Sequence, residues 1–357
     1  MTEDTPNEIV VVKSEQSKIN SVDFSNLIFG RVFTDHMFIC DFKDGKWQTP
    51  QIIPYQAMTI EPSARVFHYG QAVFEGMKAY KDENDDIFLF RPDQNFKRIN
   101  TSAARLAIPE FPESYFFDGL QTLLKLDKDW IKPGVGNSLY VRPFVIATEP
   151  AISASPANQY RFMIICSPAK AYYNEPVRVL FAEKFSRSAD GGVGFAKAAG
   201  NYAAQFYPTS LAQKKGFQQI IWTDASTHQY LEEAGTMNIF FRINDKLVTA
   251  PNNDRILDGV TRKSVIQLAE DLNIDCEVRR VSVEEIKSAA KDGSLKEIFG
   301  AGTAAVISPV SAFEHGGDVF EIEQMEKDSY ASLFKEKLLQ IQHNLSEDPH
   351  HWRYKVK

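Results

Sequence analysis

Lys197 stands in Phe195-Ala196-Lys197-Ala198-Ala199-Gly200-Asn201-Tyr202, a lone lysine among small residues. An apolar neighbourhood disfavours an ammonium, and the neutral amine is the nucleophile that a Schiff base requires. Ala198, Ala199 and Gly200 leave room for a flat aromatic aldehyde close to the backbone, and Tyr202 would bring a phenol. The competing reading is a lysine at the mouth of a loop after Asp190-Gly191-Gly192-Val193-Gly194. Other residues widen the chemistry. Leu231-Glu232-Glu233-Ala234-Gly235-Thr236 places two adjacent acids at a strand entrance, so that either one acid is buried or both lie in a solvated turn. Arg98 is available for an anion. Asp258-Gly259-Val260-Thr261-Arg262 opens a helix whose first amides, those of Val260 and Thr261, have no intrahelical partner and sit at the positive end of the helix dipole. Ile298-Phe299-Gly300-Ala301-Gly302-Thr303-Ala304-Ala305 reads as a strand running into a turn of exposed amides, with the Thr303 hydroxyl beside them.

The elements that must carry these residues follow from the spacing. After a polar start, with a short apolar run at Ile9-Val10-Val11-Val12, His36 to Phe42 and Trp47 read as strands joined by Asp44-Gly45, a strong hairpin signal. Residues 65 to 80 are aromatic and punctuated by glycine, Ile87-Phe88-Leu89-Phe90 forms a strand, and Arg91-Pro92-Asp93 starts a helix to about Leu106. On that helix Phe96, Ile99, Ala103 and Leu106 make one stripe, and Arg98, Ser102 and Arg105 another. A second helix spans about 115 to 130, stopped by Pro133-Gly134. In Ser138-Leu139-Tyr140-Val141-Arg142 the two-residue period sets Tyr140 and Arg142 on one face, towards a cleft or towards solvent. Arg161 to Cys166 is a buried strand, and the segment from Pro168 to Pro176 reads as a linker. Beyond it are expected strands at 177–181, 218–222, 238–243 and 246–248, a short helix from about 203 to 215, a helix from Val260, and a charged amphipathic helical tail from about 321 to His350-His351. The fold class is α/β (α+β) in two domains: 1–171, a linker at 172–176, and 177–357 with the lysine.

Composition narrows the partners. A chain of 357 residues with net charge −7 and no run of lysine or arginine points away from nucleic acid and anionic membranes, towards small molecules. Cys40, Cys166 and Cys276 are too few and too far apart for a disulfide framework or a zinc site. With no basic-then-apolar start and no window near a membrane span, a cytoplasmic location is expected.

A lysine among small residues, an acid at 232 or 233, an arginine at 98 and two amide-rich turns are together what a pyridoxal 5′-phosphate site needs. From about Asn26 to Ile322 the chain resembles the branched-chain amino acid aminotransferases, members of the fold-type IV (D-amino-acid transaminase-like) group. The resemblance rests on Phe74-Glu75-Gly76-Met77-Lys78-Ala79-Tyr80, Phe90-Arg91-Pro92, Leu139-Tyr140-Val141-Arg142-Pro143, Lys197 to Tyr202, Glu233 to Phe240, and Gly302-Thr303-Ala304-Ala305.

The resemblance implies a transaminase that moves the amino group of L-leucine, L-isoleucine or L-valine to 2-oxoglutarate by a ping-pong scheme. Lys197 would bond the cofactor, Glu233 rather than Glu232 would face its pyridine nitrogen, and Tyr202 its phenolic oxygen. Arg98, the amides of Val260 and Thr261, and Thr303 would hold the phosphate. Tyr140 with the Thr303-Ala304 turn would take the substrate carboxylate, Tyr69, Phe74 and Tyr172 would wall the side-chain pocket, and Arg142 would meet the γ-carboxylate of glutamate. A homodimer is implied, with residues near Ile152 closing the partner's site. Two departures stand out: Ala305 and Ser308 replace the Cys-x-x-Cys of mammalian members, so no thiol switch is expected, and the linker around Tyr172 is shorter. A D-amino acid transaminase or aminodeoxychorismate lyase on the same scaffold would lack the motifs at 74–80 and 140–143. A non-catalytic pyridoxal-binding protein would have lost the lysine or the acid, and both are present.

Overall fold

Ser138–Ala147 and Tyr160–Ala169 pair antiparallel from end to end, and this ladder is the centre of the first of two sheets. Both strands alternate or run apolar, so their inward faces need cover on one side and neighbouring strands on the other. In the computed structural model, which describes residues 9–170, 175–325 and 327–357, the sheet extends outward on both sides of that ladder. One side adds His36–Lys43, Gln51–Pro54 and Val10–Val11; the other adds Met77–Lys81, Ile87–Phe90 and Arg353–Lys355. The Asp44-Gly45 turn closes its hairpin with φ of 53° and 75°, the left-handed backbone that such a two-residue turn demands.

Three helices accompany this sheet: α1 (Arg65–Tyr69), α2 (Pro92–Arg105) and α3 (Glu113–Leu126). Segment 65–69, within the aromatic stretch, is thus helical rather than extended. Pro92 starts α2, where a missing N–H costs nothing, and Ile99 and Ala103 are buried with Asn95, Arg98 and Ser102. α3 ends at Leu126, earlier than the expected 130. Asp127 leaves the helix and its carboxylate receives His36, with Nδ1 2.6 Å away, and a short 3-10 turn then delivers Trp130 to Asp35, with Nε1 donating over 2.8 Å. Phe38, Phe116, Leu120 and the stacked pair Phe111 and Phe162, 3.6 Å between ring centroids, fill the core.

In the second sheet Asn238–Ile243, Leu295–Gly302, Val306–His315, Val177–Phe181, Gln219–Thr223 and Tyr230–Ala234 follow one another. Tyr230–Ala234 pairs back on Asn238–Ile243 through Glu233 and Asn238, so these strands form a closed ring. Lys246–Thr249 joins by the hairpin at Asn244, whose φ is 52°. Four helices belong here: α4 (Ala199–Lys214), α5 (Val260–Asp271), α6 (Val283–Asp292) and α7 (Tyr330–Gln342). α4 begins four residues before the expected start, so Gly200, Asn201 and Tyr202 are helical. The tail also departs from one long helix: Asp318–Glu321 is a strand, α7 stops at Gln342, and Arg353–Lys355 pairs with Ile87–Phe90 of the first sheet.

The two sheets head two compact units that are not consecutive in sequence. Met1–Tyr172, Ala196–Ala199 and Gln340–Lys357 form the first; Tyr173–Phe195 and Gly200–Leu339 form the second. A single division at 172–176 would have put Lys197 and residues 340–357 with the second unit; their contacts place both in the first. Among the described residues no helix is long and apolar enough to cross a membrane.

α7 is anchored in the second unit by one carboxylate. Glu297, buried on its strand, accepts from Arg242 Nη1 at 2.9 Å, Ser329 Oγ at 2.7 Å and the Tyr330 and Ala331 amides at 2.8 and 3.1 Å. It satisfies the first orphan N–H groups of α7 and neutralises a buried guanidinium that also lies 3.8 Å from the Tyr330 ring centroid. Replacing Glu297 by alanine is expected to lower stability by ~2–4 kcal/mol, since the buried Arg242 keeps only the exposed Asp245 carboxylate, 3.5 Å away, as a counter-charge and α7 loses the acceptor for its first amides. Denaturant unfolding reads this as a lower midpoint, and Glu297→Gln should lose less.

Candidate active site

In the first unit the Lys197 segment lies against two elements. Ala198 forms an antiparallel bridge with Val73, the Phe74 amide donates to the Lys197 carbonyl at 3.1 Å, and the Lys197 amide donates to Ser102 Oγ of α2 at 2.8 Å. The small side chains on either side allow this approach, with Ala196 and Ala198 buried. Its backbone held at both the N–H and the C=O, Lys197 sets its Nζ 4.9 Å from the Phe74 ring centroid. Arg142 lies over the same ring at 4.7 Å, and its Nη2 donates to the Tyr140 hydroxyl at 3.0 Å. Arg142 Nε is buried with no hydrogen-bond partner. Tyr140 in turn explains Gly76, because a Cβ there would sit 2.0 Å from the phenolic oxygen.

Arg98 does meet an anion in this unit, and the anion is Glu75. Nε and Nη2 of the guanidinium reach the two carboxylate oxygens at 2.6 and 2.9 Å, and Asn95 Nδ2 adds a third contact at 2.7 Å. Burial alone would push Glu75 up, but the charge and hydrogen bonds of Arg98, with Lys197 behind them, hold its carboxyl below the usual range. Tyr69, at the end of α1, is half exposed and its hydroxyl contacts the Ile152 carbonyl. The segment around exposed Ile152 is tied to α1 by Arg65, whose guanidinium donates to Pro156 O at 2.6 Å and Ser153 Oγ at 2.9 Å. Tyr172 lies outside the described residues.

In the second unit the two acids separate by partner. Both are buried in Tyr230–Ala234, so the solvated-turn alternative does not hold. Glu232 contacts the Arg255 guanidinium. Glu233 points the other way along the pleat and receives Arg187 Nη1 at 2.9 Å, Asn238 Nδ2 at 3.1 Å and the Leu257 amide at 3.2 Å. Arg187 also donates to the carbonyls of Gly194 and Arg255, which fixes the turn leading to the lysine segment. α5 starts after Gly259 with no side chain capping its first turn. The glycine is required there: a Cβ would fall 1.9 Å from Asn238 Oδ1. Thr303, Ala304 and Ala305 form the turn between Leu295–Gly302 and Val306–His315, closed by Val306 at φ 61°, a costly conformation for a β-branched residue. Tyr202 is half-buried in the first turn of α4.

A profile described as amino-transferase class IV matches residues 72–313. The branched-chain-amino-acid aminotransferase 2 of Bacillus subtilis (strain 168) is 43% identical over 353 residues, covering 98% of this chain and 97% of that protein. The chain belongs to the branched-chain amino acid aminotransferases of class IV. Its fold is similar to the solved branched-chain aminotransferase from Thermoproteus uzoniensis with norvaline, at TM-score 0.75 and 23% identity over 90% of this chain and 100% of that one. The T.th. branched-chain amino acid aminotransferase complexed with N-(5′-phosphopyridoxyl)-L-glutamate gives 0.71 at 23% identity, over 89% and 98%.

Sequence reasoning did not single out four residues of this aminotransferase: Glu75, Asn95 and Arg187 as partners of charged groups, and Ser102 as acceptor for the lysine amide. An acid between Phe74 and Gly76, in a stretch otherwise aromatic and apolar, was the available signal for Glu75. Arg187, in Phe185-Ser186-Arg187-Ser188, carried none.

Gly259→Ala is expected to push Asn238 away from both Glu233 and Leu257 and to destabilise the fold by ~1–3 kcal/mol, the usual cost of overpacking. Thermal unfolding measures the loss, and a crystal structure of the variant should show Asn238 displaced.

Proposed function

We propose that the chain transfers the amino group of L-leucine, L-isoleucine or L-valine to 2-oxoglutarate in two half-reactions, with pyridoxal 5′-phosphate bonded to Lys197. The observation that carries this reading is the backbone clamp on Lys197, from Ser102 Oγ and the Phe74 amide, which fixes the main chain from which the amine extends. The donor set suits the cofactor: an amine for its aldehyde, a buried carboxylate for its pyridine nitrogen, and a helix start whose amides no side chain caps for its phosphate. The family and the phosphopyridoxyl compound in the T.th. structure support the same cofactor. When bound, pyridoxal phosphate supplies an electrophilic aldehyde and a ring that accepts the electrons released as the substrate Cα–H bond breaks.

The protein's part is positioning and proton transfer. Lys197 Nζ takes the Cα proton and returns it on the other side of the transfer. Glu233, held by Arg187 and Asn238, keeps a proton on the pyridine nitrogen, and Tyr202 donates to the phenolic oxygen. Arg98, the amides of Val260 and Thr261, and the Thr303 hydroxyl hold the phosphate. The substrate carboxylate goes to Tyr140 and the Thr303-Ala304 turn, while Tyr69 and Phe74 wall the side chain. A purely apolar pocket would reject glutamate, because an unpaired buried carboxylate costs several kcal/mol. Arg142 answers that need with a buried Nε lacking a partner. A cytoplasmic homodimer, with the segment near Ile152 reaching the second subunit's site, completes the reading.

Borohydride reduction of the cofactor-loaded protein followed by peptide mapping should find the pyridoxyl group on Lys197; finding it on Lys170 or Lys184 would sink the mechanism. Arg142→Met should leave the leucine half-reaction within about tenfold of the parent and weaken productive 2-oxoglutarate binding by ~2–4 kcal/mol. Stopped-flow spectra of each half-reaction separate the effects, and equal losses would make Arg142 structural.

A further inference from the structure

Glu75 has no exposure to water, and four donors converge on it: Arg98 Nε at 2.6 Å and Nη2 at 2.9 Å, Asn95 Nδ2 at 2.7 Å, and the Gly76 amide at 3.0 Å. A carboxylate held by both branches of a guanidinium makes a neutral unit with a fixed orientation. Arg98 has therefore spent its charge inside the protein. What it retains for a phosphate, which carries about two negative charges near neutral pH, is directed hydrogen bonding rather than a full counter-charge. Asn95, Arg98 and Ser102 lie along one buried stripe of α2, so the helix that aims this pair also holds the Lys197 amide.

We propose that Glu75 is a positioning residue for the cofactor phosphate: it orients Arg98 and cancels its charge, so that the two act as one neutral clamp. The inference rests on the proposed function and deepens it. Its consequence is that losing Arg98 harms phosphate binding mainly by baring the Glu75 carboxylate, and that removing both charges repairs the harm.

The test compares apoprotein of the parent, Arg98→Gln and Glu75→Gln/Arg98→Gln, each titrated by absorbance with pyridoxal phosphate and with pyridoxal, which lacks the phosphate. The ratio of the two affinities reads the phosphate clamp, and a general loss of structure cancels from it. In Arg98→Gln the ratio should fall by about tenfold or more, because a buried carboxylate is left unpaired, and in the double variant it should rise again by at least about threefold. Recovery smaller than that, or no fall in Arg98→Gln, overturns the proposal. Melting temperatures of the same apoproteins should follow the same order, lowered in Arg98→Gln and restored in the double variant. If the parent does not prefer pyridoxal phosphate to pyridoxal, the proposed function fails; the melting order still decides whether Glu75 and Arg98 act as one unit.

Discussion

A carboxylate cut off from water must be met by donors on every side, and two such carboxylates organise this protein. Glu75 in the first unit and Glu233 in the second are both buried, and each receives an arginine and an asparagine. Desolvating a charge costs several kcal/mol unless geometry returns it, so the surrounding elements are placed to bring those donors in. α2 delivers Asn95 and Arg98 one turn apart, and the ring of strands closes at the point where Glu233 faces Asn238. The chemistry proposed for Lys197 and the pyridine nitrogen borrows the rigidity these pairs require.

Close approach is the second constraint. Tyr140 reaches over the backbone at Gly76, between two strands, and Asn238 reaches over the start of α5 at Gly259, in both cases where a methyl group would overlap an oxygen. The two glycines thus act by the space they leave to a polar side chain, which the backbone angles of Gly259, at φ −68°, would not reveal. Val306 shows the converse: a bulky residue held at φ 61° beside the Thr303-Ala304 turn, a local cost that the hairpin's ladder must sustain.

Much of this was legible in the sequence. The Asp44-Gly45 and Asn244-Asp245 turns, the helix from Val260, and the strand carrying Tyr140 and Arg142 follow from local chemistry and period, which act over a few residues. What stayed hidden depends on distant partners. α3 ends early because Asp127 answers His36, ninety-one positions away in sequence. Arg98 is engaged because Glu75, outside α2, lies opposite, and α4 starts early although Gly200 and Asn201 are poor helix formers. The tail misled for the same reason: Arg353–Lys355 is a strand only because Ile87–Phe90 offers it an edge.

That last pairing bears on how the chain is made. A ribosome delivers residues in order, and domains usually fold as they emerge. Here the first unit cannot finish when its first 172 residues are out, because its lysine segment comes with residues 196–199 and its outermost strand only with 353–355. Through most of synthesis Ile87–Phe90 is an open edge, apolar and ready to pair with any strand nearby. The nascent protein therefore passes through a long aggregation-exposed interval that ends only when its own C-terminal segment covers the edge.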